Sequence, residues 1–175
     1  MKPESIRALV GSIGCTVATS FYGGDIYDIC EENSLWIFIC HKRSTFINYV
    51  KNAENIDERN PADVEYLNMI DESIHFAFCG MGNSFMEGAI VLIEEDLPKE
   101  VFSHDMIRAI IFHELGHLVL NTQDEEKADL FAIEHCGIDN VRAALNATKR
   151  QYIKTHHGHW YGWGRGYSHR YKLLK

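Results

Sequence analysis

Several features of common protein classes are scarce or missing in this 175-residue sequence. It has 3 prolines, no C-x-x-C pair, and no apolar run close to the roughly 18 residues that span a bilayer. Its 5 cysteines are odd in number, which favours neither a full disulfide framework nor a zinc site made of thiolates. Glu4 and Arg7 interrupt the apolar stretch that an export signal needs. We therefore expect a protein of the reducing cytoplasm that does not enter a membrane.

Charge is unevenly distributed along the chain. The formal net charge is -8, which argues against nucleic-acid binding by the domain as a whole. Residues 149–175 nevertheless contain seven Lys and Arg and no Asp or Glu. We expect one domain over residues 1–154 and a basic tail over residues 155–175, rich in histidine, glycine and aromatic residues. The tail could pack on the acidic body, cover a cleft, bind a second metal, or contact a nucleic acid or protein.

The order of apolar patterns indicates the fold class. β-Branched and aromatic runs predict strands at 35–40, 45–50, 74–79 and 88–93. Helical spacing predicts helices at 4–20, 60–71, 103–120, 124–136 and 138–154. The first two strands should form a hairpin, and the last two should pair antiparallel across a glycine-containing turn. Strands that precede helices predict an α+β domain, with helices packed on a small antiparallel-rich sheet.

Residues 113–117 read His-Glu-Leu-Gly-His and carry the clearest chemical pattern. His113 and His117 are four residues apart, so one helical face can present both imidazoles to a single ion. Glu114 lies beside that face, where it can take a proton from a water that the metal activates. Burying these groups in an apolar helix without partners is costly, and a divalent cation would satisfy them together. The pattern predicts a metal site.

Acidic residues just downstream can complete that site. A tetrahedral catalytic centre uses three protein ligands and leaves the fourth position to water, and Glu125 is the natural third ligand. Asp129 lies four residues further along the same predicted helix. Its carboxylate could accept the outer N–H of His113 or His117 and so fix the tautomer of that ligand.

The spacing between the two halves of the site is short. Seven residues separate His117 from Glu125, so the first helix must end soon and the chain must reverse at once. If that helix continued, Glu134 or His135 would compete as the third ligand. Gly116 removes side-chain bulk beside the ligands, which predicts a close approach of the backbone by a neighbouring helix.

The run His113-Glu-Leu-Gly-His117 followed by Glu125-Glu-Lys-Ala-Asp129-Leu-Phe-Ala132 resembles the signature of gluzincin metallopeptidases. It is most similar to the ImmA/IrrE family, in which H-E-x-x-H precedes E-x-x-A-(N/D)-x-F-A. The resemblance covers residues 103–140. It implies a zincin-like domain, Zn²⁺ held by His113, His117 and Glu125, and Glu114 as general base in the hydrolysis of a specific intracellular protein. The second half also resembles HtpX-type membrane peptidases, whose transmembrane segments have no counterpart here.

The resemblance also raises two questions about substrate binding. The strand at 88–93 resembles the edge strand along which such enzymes align an extended peptide, and an ordinary buried strand is the alternative. Related peptidases often add a Tyr, His or Arg that stabilises the oxyanion. The C-terminal candidates for that role are Tyr152, His156, His157, His159, Tyr167, His169 and Arg170.

Two other functions remain open from the sequence. A regulatory protein could keep a zinc-stabilised zincin fold with little turnover and bind a repressor or another protein. Glu114 favours an enzyme, because a purely structural site has no need of a base beside an open metal position. Peptide deformylase also uses H-E-x-x-H, but its upstream Gly-Cys ligand segment has no counterpart around Cys79-Gly80.

Overall fold

The computed structural model describes residues 15–17, 36–73, 77–80, 88–155 and 170. The chain divides into two compact units, Met1–Asp96 and Leu97–Lys175. The described part combines strands with helices, as expected for a mixed protein. In this described part, no helix is both long enough and apolar enough to span a membrane. A zincin-like domain over residues 1–154 stays a prediction.

The described part of the first unit contains a four-stranded sheet with two helices. The strands are β1 (Cys15–Val17), β2 (Trp36–Cys40), β3 (Ala77–Cys79) and β4 (Ala89–Ile93), and the helices are α1 (Arg43–Ala53) and α2 (Pro61–Ser73). The strand order is β1-β2-β4-β3. The apolar core of this unit consists of Phe38, Cys40, Phe46, Tyr49, Val50, Leu67, Ala89, Val91 and Ile93.

The centre of the sheet differs from the prediction. The two five-residue strands, β2 and β4, pair in parallel, with Phe38 opposite Val91. The antiparallel pairs involve the three-residue strands β1 and β3. The expectation of an antiparallel-rich sheet is therefore wrong for its central pair. The physical reason is the crossover between them, because parallel strands need a long connection and α1 and α2 lie within it.

Helix α1 replaces the predicted second strand of a hairpin. Phe46, Tyr49 and Val50 are buried, whereas Asn48 is exposed. This is a helical period, and burial along it outweighs the β propensity of the Thr45–Val50 run. The predicted helix at 4–20 is also wrong where it can be compared, since β1 pairs with β2 at residues 15–17. The rest of that segment lies outside the described residues.

The segment at 74–79 forms a strand at Ala77–Cys79, and residues 74–76 lie outside the described residues. Its antiparallel pairing with β4 is confirmed. Strand β4 is not an edge strand, because it lies between β2 and β3 with all five residues buried. Of the two interpretations of residues 88–93, the ordinary buried strand is therefore confirmed and the substrate-aligning edge is wrong, since β4 pairs with a strand on each side.

Helix α2 begins as predicted at Asn60-Pro61, where the Asn60 side-chain oxygen accepts a hydrogen bond from the Ala62 N–H. The burial of α2 only partly follows the helical spacing of its apolar residues. Leu67 is buried and Ile70 is partly buried, but Val64, which the same spacing places on the inner face, is 36% exposed.

Among its described residues, the second unit contains the three helices predicted for it. They are α3 (His104–Val119), α4 (Glu125–Cys136) and α5 (Ile138–Thr155), and each contacts the other two. Ser103 caps α3 by accepting a hydrogen bond from the Met106 N–H at 3.3 Å. The apolar residues buried in this unit are Leu97, Phe102, Ile107, Ala109, Ile111, Phe112, Leu115, Ala128, Ala132, Val141, Ala144, Leu145 and Ala147.

Candidate metal centre

Two imidazoles on α3 face the same point. His113 and His117 are both buried, at 9% and 7% exposure. Their Nε2 atoms lie 3.1 Å apart, and the two rings are nearly perpendicular. The four-residue spacing produces this arrangement, because residues i and i+4 of a helix lie one above the other.

The turn after α3 brings the next helix back toward the histidines. Asn121 takes a left-handed conformation with φ 45°. The Thr122 N–H donates to the His117 carbonyl and the Asn121 N–H donates to the Leu118 carbonyl. This pair of bonds is a Schellman motif, which satisfies the last carbonyls of a helix and reverses the chain. The predicted early end of the helix is confirmed.

Helix α4 starts at the residue that the sequence predicts as third ligand. The Asp124 carboxylate accepts the Glu126 N–H and caps the helix, so Glu125 is its first residue. Glu125 Oε2 lies 3.2 Å from His113 Nε2, and Glu125 Oε1 lies 3.5 Å from His117 Nε2. The three side chains have ligand atoms within 4.8 Å of one another and could hold a metal ion.

The rival third ligands lie elsewhere on α4. Glu134 and His135 are exposed, and neither belongs to the group of ligand atoms. The His135 ring stacks on Phe112 with centroids 4.9 Å apart and also contacts Phe131.

Gly116 permits the close packing of α3 on α4. A Cβ placed at Gly116 would lie 3.0 Å from Ala128 Cα and 3.1 Å from Phe131 Cβ. The first of these contacts is with backbone, which cannot turn aside as a side chain can. The close approach of a neighbouring helix, predicted from the glycine, is confirmed. It sets the distance between the histidines and the acids of α4.

The outer nitrogen of each histidine has an acceptor. His117 Nδ1 lies 2.8 Å from the Thr122 carbonyl oxygen, and His113 Nδ1 lies 2.8 Å from Asp129 Oδ1. A carbonyl and an ionised carboxylate only accept, so both Nδ1 atoms must donate. Each neutral ring then has its lone pair on Nε2. The Nε2 atoms and the Glu125 carboxylate thus form a group of acceptors that needs a cation.

Asp129 is itself held by Arg170. The guanidinium donates from Nε to Asp129 Oδ2 and from Nη2 to Asp129 Oδ1, both at 2.7 Å. Arg170 Nη1 also lies 2.8 Å from Glu125 Oε2. Asp129 and Arg170 are both buried, at 2% and 9% exposure.

The electrostatics of the metal-free site follow from these contacts. Burial opposes protonation of His113, but its bonds to Asp129 and Glu125 outweigh burial and raise the pKa of His113 to about 9. Burial also opposes protonation of His117, but the bonds to Glu125 and to the Thr122 carbonyl, together with the charge of Glu114, outweigh it and raise the pKa of His117. Burial favours the neutral acids, yet the imidazoles and Arg170 hold the pKa of Glu125 and of Asp129 below their ordinary values. A proton therefore fills part of the role that a metal cation would take.

Glu114 occupies the position after the first histidine on α3. Its side chain is partly exposed, in contrast to the two histidines. Its charge acts on both imidazoles and on Arg170. The residue is thus beside the ligand group and open to solvent.

All five site residues predicted from the sequence are brought together. Asp129 contacts His113, one of the two imidazoles that it could have oriented. Sequence reasoning missed the Thr122 carbonyl, since a main-chain acceptor leaves no residue-type signal. It named Arg170 only as one of seven oxyanion candidates, and the other six side chains lie outside the described residues. A buried aspartate, which needs a cation, was the signal that could have paired Arg170 with Asp129.

Comparisons of this chain with family models, with curated proteins and with solved structures gave no match.

Proposed function

We propose that the protein is a zinc-dependent metallopeptidase that hydrolyses peptide bonds in an intracellular protein substrate. One observation carries the proposal. Three acceptor groups converge, two of them imidazoles whose outer N–H groups are bonded to Thr122 and Asp129. Metal-ligating histidines almost always donate the other ring N–H in this way, which fixes the tautomer and the ring orientation.

The donor set favours zinc over other common ions. Zinc accepts imidazole nitrogen and carboxylate oxygen, and two histidines with one glutamate are a known catalytic set that leaves a position for water. Calcium and magnesium prefer oxygen ligands throughout, which this group does not offer. The residues that would hold the ion are His113, His117 and Glu125.

The residues of the chain have distinct tasks in this proposal. Zinc bound there would lower the pKa of a coordinated water to about 7 and would polarise a carbonyl. Glu114 would take the proton of the attacking water on its carboxylate and pass it to the leaving nitrogen. Its partial exposure supports this task, since the proton acceptor must meet both water and substrate. The substrate class comes from the resemblance to gluzincins.

A second candidate is a zincin-like regulatory protein that binds a repressor or another protein with little turnover. The ion pairs among the side chains of the site favour it. Glu125 contacts Arg170 as well as both histidines, and Asp129 contacts both Arg170 and His113. These contacts can hold α3, α4 and Arg170 together whether or not a substrate is turned over. The two candidate functions differ in whether the Glu114 carboxylate is needed.

Metal analysis tests the site first. Purified protein should contain about one zinc per chain, because the described residues offer a single three-ligand group. His113→Ala and Glu125→Gln should lose it. His135→Ala and Glu134→Gln are matched controls from α4 and should keep it. Zinc retained in full by His113→Ala would refute this metal centre.

Activity tests the two candidates. Glu114→Gln should keep zinc and fold while it abolishes the cleavage seen when new N-termini are compared across a proteome with and without the protein. If the wild-type protein produces no new N-termini, and Glu114→Gln retains its biological effect, the regulatory candidate replaces the peptidase.

A further inference from the structure

Arg170 belongs to the candidate metal centre although it lies far along the chain from α3 and α4. Three of its nitrogens are engaged by carboxylates. Nε and Nη2 bind the two oxygens of Asp129 at 2.7 Å each, and Nη1 lies 2.8 Å from Glu125 Oε2. A planar guanidinium can make this set of bonds because its donors have a fixed geometry.

One of these bonds leads directly to a proposed ligand. Asp129 Oδ1 accepts from Arg170 Nη2 and also lies 2.8 Å from His113 Nδ1. The bidentate contact prevents the carboxylate from rotating about its own bond. The position of Oδ1, and with it the orientation of the His113 ring, therefore depends on Arg170.

The other bond acts on the carboxylate ligand. Arg170 Nη1 contacts Oε2 of Glu125, the oxygen that faces His113 Nε2, and so restrains the carboxylate whose Oε1 faces His117 Nε2. A carboxylate that binds a metal is usually hydrogen-bonded to a neighbouring group as well. The guanidinium also offsets the charge of two acids that a metal-binding site brings together.

We infer that Arg170 is a positioning residue of the metal centre, which orients His113 through Asp129 and orients Glu125 directly. The inference rests on the metal site proposed above. It differs from a role at the oxyanion, because the nitrogens of Arg170 are engaged by carboxylates of the protein. It also makes one residue from the predicted basic tail part of the site.

The inference is tested by the zinc affinity, which is measured by competition with a chromophoric chelator. Arg170→Gln and Arg170→Lys should each weaken zinc binding at least tenfold, within the range of about 10–100-fold for partners that orient metal ligands. Lysine keeps the charge but cannot span both carboxylates. Arg142→Gln is the control, because it removes an Arg–Asp pair at 3.0 Å on the surface of α5. Wild-type affinity in Arg170→Lys would overturn the inference.

A second readout separates positioning from stability. The d–d absorption of Co²⁺ bound in place of zinc should change in Arg170→Gln, because its intensity depends on ligand geometry. A merely structural arginine would lower stability and leave both this spectrum and the zinc affinity unchanged.

A double variant keeps the inference testable if Arg170→Gln alone does not fold. Arg170→Gln combined with Asp129→Asn removes both charges of the Arg170–Asp129 pair, and its loss of zinc affinity should be smaller than the two single losses combined. If Arg170→Gln does not fold, the double variant should still bind zinc more weakly than Asp129→Asn, because it also loses the contact between Arg170 and Glu125. Fully additive losses would contradict action through Asp129, and equal zinc affinity in the double variant and in Asp129→Asn would contradict the direct action on Glu125. A wild-type protein that binds no zinc would refute the metal centre and this inference together, whereas equal binding by wild type and the Arg170 variants would refute the inference alone.

Discussion

Replacement of Gly116 by alanine tests how the packing of two helices sets the metal centre. In an exposed helix, this substitution should stabilise the protein by about 1 kcal/mol because alanine has the higher helix propensity. Here the new Cβ would meet the Ala128 backbone at 3.0 Å. Overpacking of this kind costs about 1–3 kcal/mol. The metal-free variant should therefore be less stable by up to about 2 kcal/mol.

The same substitution should weaken zinc binding. Helix α4 carries Glu125, so a Cβ at Gly116 moves this ligand away from the histidines by a few tenths of an ångström. Metal–ligand distances tolerate about 0.2 Å. A tenfold loss of zinc affinity is expected, which corresponds to about 1.4 kcal/mol. Denaturant unfolding of the metal-free protein and chelator competition measure the two effects separately.

Gly137→Ala is the matched control. Gly137 ends α4 with φ 80° and has no atom near the site of a Cβ. Alanine there strains the backbone by about 1–3 kcal/mol without pushing α4 from α3, so stability should fall and zinc affinity should not. If Gly116→Ala is more stable than wild type by about 1 kcal/mol and binds zinc equally well, the close approach of the helices does not set the site.

Three further outcomes are expected. Asn121→Ala should lower stability by about 1 kcal/mol in denaturant unfolding, whereas Asn121→Gly should not, because φ 45° suits glycine; equal effects would contradict the Schellman turn. Phe46→Ala should cost about 3–5 kcal/mol and Asn48→Ala less than about 0.5, since a helix separates residues that a strand would place on one face; similar losses would contradict α1. Removal of zinc by a chelator should lower the unfolding midpoint, because zinc at 100 times its dissociation constant adds about 2.7 kcal/mol of stability. His113→Ala should be insensitive to the chelator, and a shift like that of wild type would contradict the ligand assignment.

The helices of the second unit were predictable because their local signals agree with their packing. Ser103 and Asp124 cap α3 and α4, and Gly137 ends α4. The site followed from the same signals, because the ligands lie at fixed spacings on these two helices. Propensity, capping and periodicity all act within a few residues. A helix that these signals define can therefore be predicted without knowledge of the elements that pack against it.

The first unit was predicted less well, because its elements depend on contacts distant in sequence. The Thr45–Val50 run favours a strand locally, yet the core selects a helix that buries Phe46 and Tyr49. Strand β4 pairs with β2 rather than with β3 alone, and no local pattern distinguishes a central strand from an edge. The contact of Arg170 with Asp129 was hard to predict for the same reason, since the two residues are 41 positions apart in the sequence.

The acceptor for His117 is a main-chain oxygen, whereas the acceptor for His113 is a side chain. Almost any residue at position 122 would preserve the first bond, provided that the chain keeps its path through the turn. Substitution at position 129 removes the second bond at once. Natural variation that retains the metal should therefore be freer at position 122 than at positions 129 and 170, although all three serve the same pair of imidazoles.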